Sequence, residues 1–347
     1  MSVRASFLQR AAGAALFFFS AIAAAQLAAP EAESERVERA AAYAQRFMVA
    51  AADPRAVAAG LEMLRAGGSA ADAAIAAQLV LGLAEPQSSG LGGGAFVLHW
   101  SEKERRVRSY DGREAAPAAA RPERFLDRHG NPEQFMAAVM SGRSVGVPGV
   151  PRLLEVLHRE HGRLPWARLF EPAIRLADGG FKRTRRLARM LERYPAVRSL
   201  LPLNREYAAT LRLLAAQGAD AFYRGPIAED IVRAAHSDLT LEDLARYRVI
   251  EREPVCGAYR GYRLCSMGPP SSGGIGILQI LGMLERTAFA RAKAGSAEAV
   301  HLFSEAARLA YADRALYIGD PAFVRVPVRQ LIDPGYLDKR AARIGER

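Results

Sequence analysis

One pair of residues in this sequence is well equipped to hold a substrate. Arg113-Glu114 follows an alternating, strand-like stretch, within Asp111-Gly112-Arg113-Glu114-Ala115-Ala116-Pro117. A guanidinium is the side chain best shaped to hold a carboxylate through two parallel hydrogen bonds. A surface ion pair is the plainer use of the same two residues. Just upstream lies Glu85-Pro-Gln-Ser-Ser-Gly-Leu-Gly-Gly-Gly-Ala-Phe96, with Gly90, Gly92, Gly93 and Gly94 between a helix-like and a strand-like segment. Positions without Cβ allow positive φ and close approach of another group, and the apolar flanks favour a packed loop over a flexible connector. The loop has no P-loop lysine and runs helix first, strand after, the reverse of a dinucleotide fingerprint. Nor does it contain the Gly-x-Ser-x-Gly of a serine-hydrolase elbow. What remains is a structural or substrate-facing turn.

Other chemistry-bearing residues are less supported by their surroundings. His158 and His161, with Glu155 and Glu160 nearby, could clasp a metal on one helical turn. No second ligand cluster and no His-Glu-x-x-His accompanies them, so a solvated helix face is the expectation and no metal is expected. Ser271 and Ser272, in Pro269-Pro270-Ser271-Ser272-Gly273-Gly274, break a strand and open a helix. A serine nucleophile there would need a base, and no histidine is local, so a helix cap is the expected role. Cys256 and Cys265 flank a hairpin turning at Arg260-Gly261. With a two-residue loop, Tyr259 pairs with Tyr262 and Cys256 falls opposite Cys265 at a non-hydrogen-bonded position. There the Cα atoms approach to about 4.5 Å, within disulfide range. A cross-strand bridge and two buried thiols both fit.

The elements that would position these residues can be read in order. Asp53-Pro54 opens a helix over Ala56 to Arg65 that closes at Gly67-Gly68. Ser69 with Asp72 begins a second, from Ala70 to about Leu83, with Ala-rich faces suited to close packing. Strands are expected over Ala95 to Trp100 and Arg106 to Tyr110. A long helical region runs from Val150 to about Arg193, and another from Ala215 to Tyr247 with a capped start at Thr240. Arg248 to Pro254 leads into the cysteine hairpin. A helix follows from Ile275 to Leu284, and a last one from Ala297 to Tyr317 with an apolar stripe through Val300, Phe303, Ala307 and Ala310. His301 and Tyr311 are expected to flank that stripe. No internal repeat or low-complexity linker divides the chain.

Half of the 347 residues are apolar, enough for a sizeable core. Arg4 and Arg10 precede an apolar run from Ala11 to Ala25 ending in a small-x-small pattern. That run is short for a membrane span, so residues 1–25 read as a secretory signal peptide and 26–44 as a polar leader, placing the protein in a periplasm or outside the cell. The formal charge of +11 drops to about +9 without Arg4 and Arg10. The arginines are scattered, with no aromatic-interleaved stripe, so nucleic acid is not an expected partner. A carboxylate substrate, an acidic partner chain or a merely solvated basic surface all suit the charge.

Taken together, several stretches resemble the γ-glutamyltransferases (γ-glutamyltranspeptidases, glutathione hydrolases). These are Met48-Val49-Ala50-Ala51-Ala52-Asp53-Pro54, Gly67 to Ala74, the glycine loop, Tyr110 to Pro117 and Pro269 to Gly274. Gly162-Arg163-Leu164-Pro165-Trp166, Ala221-Phe222-Tyr223-Arg224-Gly225 and Tyr311-Ala312-Asp313-Arg314 add to them. The resemblance runs in order over roughly residues 45 to 340. It implies the α/β (α+β) fold of an N-terminal-nucleophile hydrolase, an αββα sandwich, made as a zymogen that cuts itself into large and small subunits. The N-terminal threonine of the small subunit would attack the γ-glutamyl amide of glutathione and related compounds, its own α-amine serving as base. A γ-glutamyl-enzyme would then pass to water or an acceptor. No cofactor is implied. Arg113 falls on the family arginine that holds the α-carboxylate of the γ-glutamyl group, and Glu114 matches the next position, where it would orient that arginine. The glycine loop is classed as scaffold.

The departures from the family pattern shape the expectation as much. Residues 45–347 correspond to the large-subunit region only. The threonines are Thr184, Thr210, Thr240 and Thr287, none in the Thr-Thr-His-type setting that begins the small subunit. The stretches around Leu200 to Tyr207 and between Ala235 and Leu239 are shorter than in the family. The expectation is substrate-holding parts that need a small subunit to supply the nucleophile. On that view the chain alone is inactive, and an orphan large subunit exposes apolar surface and aggregates or is proteolysed. A catalytically inactive remnant that binds γ-glutamyl compounds, or a related amidohydrolase or acylase, are the alternatives.

Overall fold

A computed structural model describes residues 40–195 and 204–345 of the chain. The signal-peptide stretch, most of the leader and much of the shortened stretch before Tyr207 lie outside the described residues. The chain forms two compact units, one from Met1–Gly93 and Glu114–Tyr247, the other from Gly94–Arg113 and Arg248–Arg347. It crosses between them three times: inside the glycine loop, inside the Arg113-Glu114 pair and between Tyr247 and Arg248.

The first unit is helical. Helix α1 (Pro54–Arg65) starts as its sequence predicts: Asp53 accepts a hydrogen bond from the Arg55 N–H at 2.8 Å, and Pro54 occupies the first turn. Gly67, at φ +87°, turns the chain. Helix α2 (Ala70–Ala84) opens with a capping box between Ser69 and Asp72. Asp72 is fully buried, and its Oδ2 also accepts from the N–H groups of Arg163 at 2.9 Å and Leu164 at 3.2 Å. One carboxylate thus caps a helix and anchors a segment 91 residues away.

The glycine loop is packed, though not for the conformational reason expected. None of its four glycines takes positive φ, and a Cβ at Gly90 or Gly92 would meet nothing within 4 Å. The loop is fixed by hydrogen bonds instead. Gln78 Nε2 donates to Ser89 Oγ at 2.8 Å, and the Gly93 carbonyl accepts from the N–H groups of Gly149 and Val150.

The remaining helices of this unit are α3 (Phe135–Met140), α4 (Val150–His161), α5 (Glu171–Gly179), α6 (Arg185–Arg193), α7 (Asn204–Gln217), α8 (Asp220–Tyr223), α9 (Pro226–Ala235) and α10 (Leu241–Arg246). The helical region expected from Val150 to Arg193 is therefore several pieces, broken at Gly162, at Pro165 and at Gly180 with φ +69°. Trp166 donates to the Leu214 carbonyl at 2.9 Å and meets Phe170 edge-on. Tyr223 stacks on Tyr247 and donates its hydroxyl to the Pro148 carbonyl at 2.8 Å.

The second unit contains the sheets. Strands β1 (Ala95–Ser101), β2 (Arg106–Gly112) and β3 (Ile250–Arg252) form an antiparallel sheet with β2 in the middle. In the sequence the β3 segment reads only as a lead-in to the hairpin. Three residues are too few for a periodic signal, and their partner lies some 140 residues earlier. Strands β4 (Val255–Tyr259) and β5 (Tyr262–Ser266) make the cysteine hairpin. Arg260 and Gly261 both take positive φ, as a tight primed turn requires. Cys256 pairs with Cys265, and a disulfide joins them across a Cα–Cα distance of 4.1 Å.

Helix α11 (Gly273–Glu285) packs against α12 (Ala297–Tyr317), and α13 (Val328–Leu331) and α14 (Pro334–Ala341) complete the unit. Met283, Leu284, Ala306, Leu309, Ala310 and Leu337 form its main apolar cluster. The stripe expected on α12 is only partly the packed face: Ala310 is buried, whereas Val300 is 56% and Phe303 49% exposed. The face that packs runs through Ala299, Ala306, Leu309, Ala310 and Asp313. Small side chains let α12 approach α11 closely, and Asp313 is drawn in by buried polar partners, which outweighs the larger apolar groups. No described helix is long and apolar enough to cross a membrane.

Candidate functional site

Arg113 emerges directly from the end of β2, the central strand of its sheet. Its root is fixed locally. Asp111 Oδ1 accepts from the Arg113 N–H at 3.0 Å, an Asx turn that bends the chain out of the strand. The exposed guanidinium lies 5.9 Å from the centre of the Phe96 ring on β1. Phe96 pairs directly with Asp111 across the strands, so ring and carboxylate occupy adjacent positions beside the arginine.

Asp111 is buried, and its second oxygen is held from the other side. Arg252, on β3, donates Nε–H to Asp111 Oδ2 at 2.6 Å. Ser109 donates its hydroxyl to the Arg252 carbonyl at 2.6 Å, tying the same strand pair two residues away. Strand β3 borders a groove of about 680 Å³ whose lining also includes Phe323, Val324 and Arg325. The arrangement presents a cation rooted on a rigid sheet, which is what recognition of a planar carboxylate needs.

The other residues singled out in the sequence are used differently. His158 Nε2 lies 2.7 Å from the Leu164 carbonyl and its ring packs beside Trp166, closing the turn after α4. No group of three or more His, Cys, Asp or Glu side chains suited to a metal occurs among the described residues. Ser272 stands at the N-cap of α11 without capping it; its hydroxyl accepts from Arg314 Nε at 3.0 Å. Ser271 Oγ accepts from the Gly273 N–H at 3.3 Å instead. Glu114 opens the next segment of the helical unit, where Ala115 bridges to Val147. Asp111 and Arg252 are not among the residues that the sequence motifs single out for the site. The i, i+2 spacing of Asp111 and Arg113, which suits an Asx turn, is a signal that could have found the first. Nothing local signals Arg252, which reaches the site only through long-range strand pairing.

Known proteins place this architecture. Residues 56–347 match the γ-glutamyltranspeptidase family, and the chain belongs to that family. It is 37% identical to the glutathione hydrolase proenzyme of Bacillus subtilis over 84% of this chain and 54% of that protein. It is 38% identical to the acylase ACY 1 proenzyme of a Pseudomonas strain, over 88% of this chain and 60% of that protein. The chain thus spans somewhat more than half the length of these relatives. The crystal structure of Helicobacter pylori γ-glutamyltranspeptidase superposes with a TM-score of 0.83 at 33% identity, covering 88% of this chain and 94% of that one. The fold is therefore that of the N-terminal-nucleophile hydrolases of this family.

Proposed function

We propose that this chain is the large-subunit region of an exported γ-glutamyltransferase, a proenzyme that cleaves the γ-glutamyl amide of glutathione and related compounds. Arg113 holds the substrate's α-carboxylate. A small subunit with an N-terminal threonine supplies the nucleophile, and no cofactor is called for. The observation that carries this reading is the rooting of Arg113 at the end of the central strand by Asp111. The proenzyme names of the relatives and their greater length support a second subunit. So do the exposed apolar face of α12 and the exposed Phe323. Export rests on the sequence pattern of residues 1–25. The acylase relative favours one second reading, a sister enzyme that acts on a different amide.

The test replaces Arg113 with Met in the mature two-subunit enzyme. Removing a bidentate charged interaction with the substrate lowers kcat/KM for γ-glutamyl substrates by about 100-fold, chiefly through KM. The 4-aminobutyryl analogue, which lacks the α-carboxylate, should be unaffected. Unchanged kinetics would remove Arg113 from the site. Turnover of glutaryl amides but not γ-glutamyl ones would favour the acylase, and no turnover of either would leave a binding remnant.

A further inference from the structure

Asp111 carries a buried carboxylate near the end of β2, two residues before the proposed clamp. An unneutralised carboxylate there would draw the Arg113 guanidinium toward itself and compete with an incoming substrate carboxylate. Both of its oxygens are instead in use: Oδ1 accepts the Arg113 N–H, and Oδ2 takes the Arg252 Nε–H at 2.6 Å. Arg252 is itself mostly buried and fixed by strand pairing, with Ser109 opposite it in register.

Resting on the reading of Arg113 as the carboxylate clamp, we propose that Arg252 is a positioning residue for it. Arg252 neutralises Asp111, so that this carboxylate fixes the Arg113 backbone without capturing its side chain. Arg252 touches no substrate in this scheme. It acts only through Asp111.

This role separates from simple structural support by a rescue experiment. Asn at position 111 keeps an oxygen for the Arg113 N–H but carries no charge. In the mature two-subunit enzyme, Arg252→Met should raise KM for a γ-glutamyl amide about 10-fold while kcat stays within about 2-fold. KM for the 4-aminobutyryl analogue should not move. The double variant Asp111→Asn/Arg252→Met should recover most of the lost affinity, because the rival carboxylate has gone along with its neutraliser. Equal losses on both substrates, a fall confined to kcat, or a double variant no better than Arg252→Met would overturn the proposal. Should Arg252→Met fail to fold, Arg252→Gln and its double with Asp111→Asn carry the same comparison. Arg113→Met, run in parallel, separates the two ideas. If it changes nothing, the clamp reading falls and this inference with it. If it raises KM while Arg252→Met behaves as wild type, only this inference falls.

Discussion

Helices α2 and α12 are both rich in alanine and begin with a serine cap, yet they are used in opposite ways. In α2, eleven of 15 residues are buried, on every side of the helix. In α12 only five of 21 are buried, and four of those are Ala or Leu on one narrow face, with Asp313 as the fifth. Val300, Phe303, Tyr311 and Leu316 are exposed. The contrast belongs to the two helices and not to whole units. The helical unit surrounds α2 with its own elements, yet its α3 shows Phe135, Met136, Val139 and Met140 to solvent. In the other unit a buried polar network closes one side of α12, and the opposite side keeps exposed apolar groups.

The largest effect should come from breaking the polar network. Asp313 is buried and accepts from Gln279 Nε2 at 2.8 Å, the Tyr336 hydroxyl at 2.9 Å and Arg340 Nη2 at 2.9 Å. These bonds join α11, α12 and α14. Partial burial and the bond to Asp313 push the pKa of the Tyr336 hydroxyl up to about 12. Asp313→Ala would strand Arg340 without its partner, which costs about 3–5 kcal/mol for a buried pair. Urea denaturation should register that loss. Hydrogen exchange should place the loosening in α11, α12 and α14 while α2 stays protected. Equal loosening of α2 would mean that the two regions do not differ in the way described.

A smaller effect is expected from the corresponding change in the helical unit. The Tyr223 hydroxyl, buried and held neutral by that burial, donates to the Pro148 carbonyl and accepts from the Arg152 N–H at 3.3 Å. Tyr223→Phe keeps the ring stacked on Tyr247 but takes this partner from the Pro148 carbonyl and, across a longer bond, from the Arg152 N–H, at about 1–3 kcal/mol. Its exchange effects should centre on α4 and α8. If it destabilises as much as Asp313→Ala, the helical unit depends on its polar interactions just as heavily.

How much of this is legible in the sequence follows from the range of the interactions. The caps at Asp53, Ser69 and Thr240 are decided within three residues, and the helices begin where those residues predict. The hairpin register follows from its two-residue turn and sets Cys256 against Cys265. Arg113 can be named from its motif, but the Asp111–Arg252 pair depends on β3 joining β2 from far along the chain. The glycine loop is the packed element its flanks suggest, for a reason other than the positive φ its glycines would permit. On α12 the periodicity is present, but size misleads in part: Ala310 of the expected stripe packs, whereas its bulky members Val300 and Phe303 are exposed and Ala299, Ala306 and Leu309 pack in their place. Hydrophobic period identifies a helix, not which partner its faces will meet.

That last point yields the smallest expected effect. If the Val300 and Phe303 face is uncovered in this chain, the double change Val300→Ser/Phe303→Ser disturbs no packing. Exposed helix positions tolerate such changes within about 0.5 kcal/mol, apart from slight propensity differences. The urea midpoint of the isolated chain should therefore barely move, whereas the same pair of truncations in a core would cost several kcal/mol. Self-association should fall, since the apolar patch is what one copy would offer another. Light scattering at matched concentration reads that directly. A large stability loss would show this face to be packed after all and would erase the contrast between α2 and α12. An unchanged midpoint with reduced scattering would locate the unfinished surface of the chain on this helix.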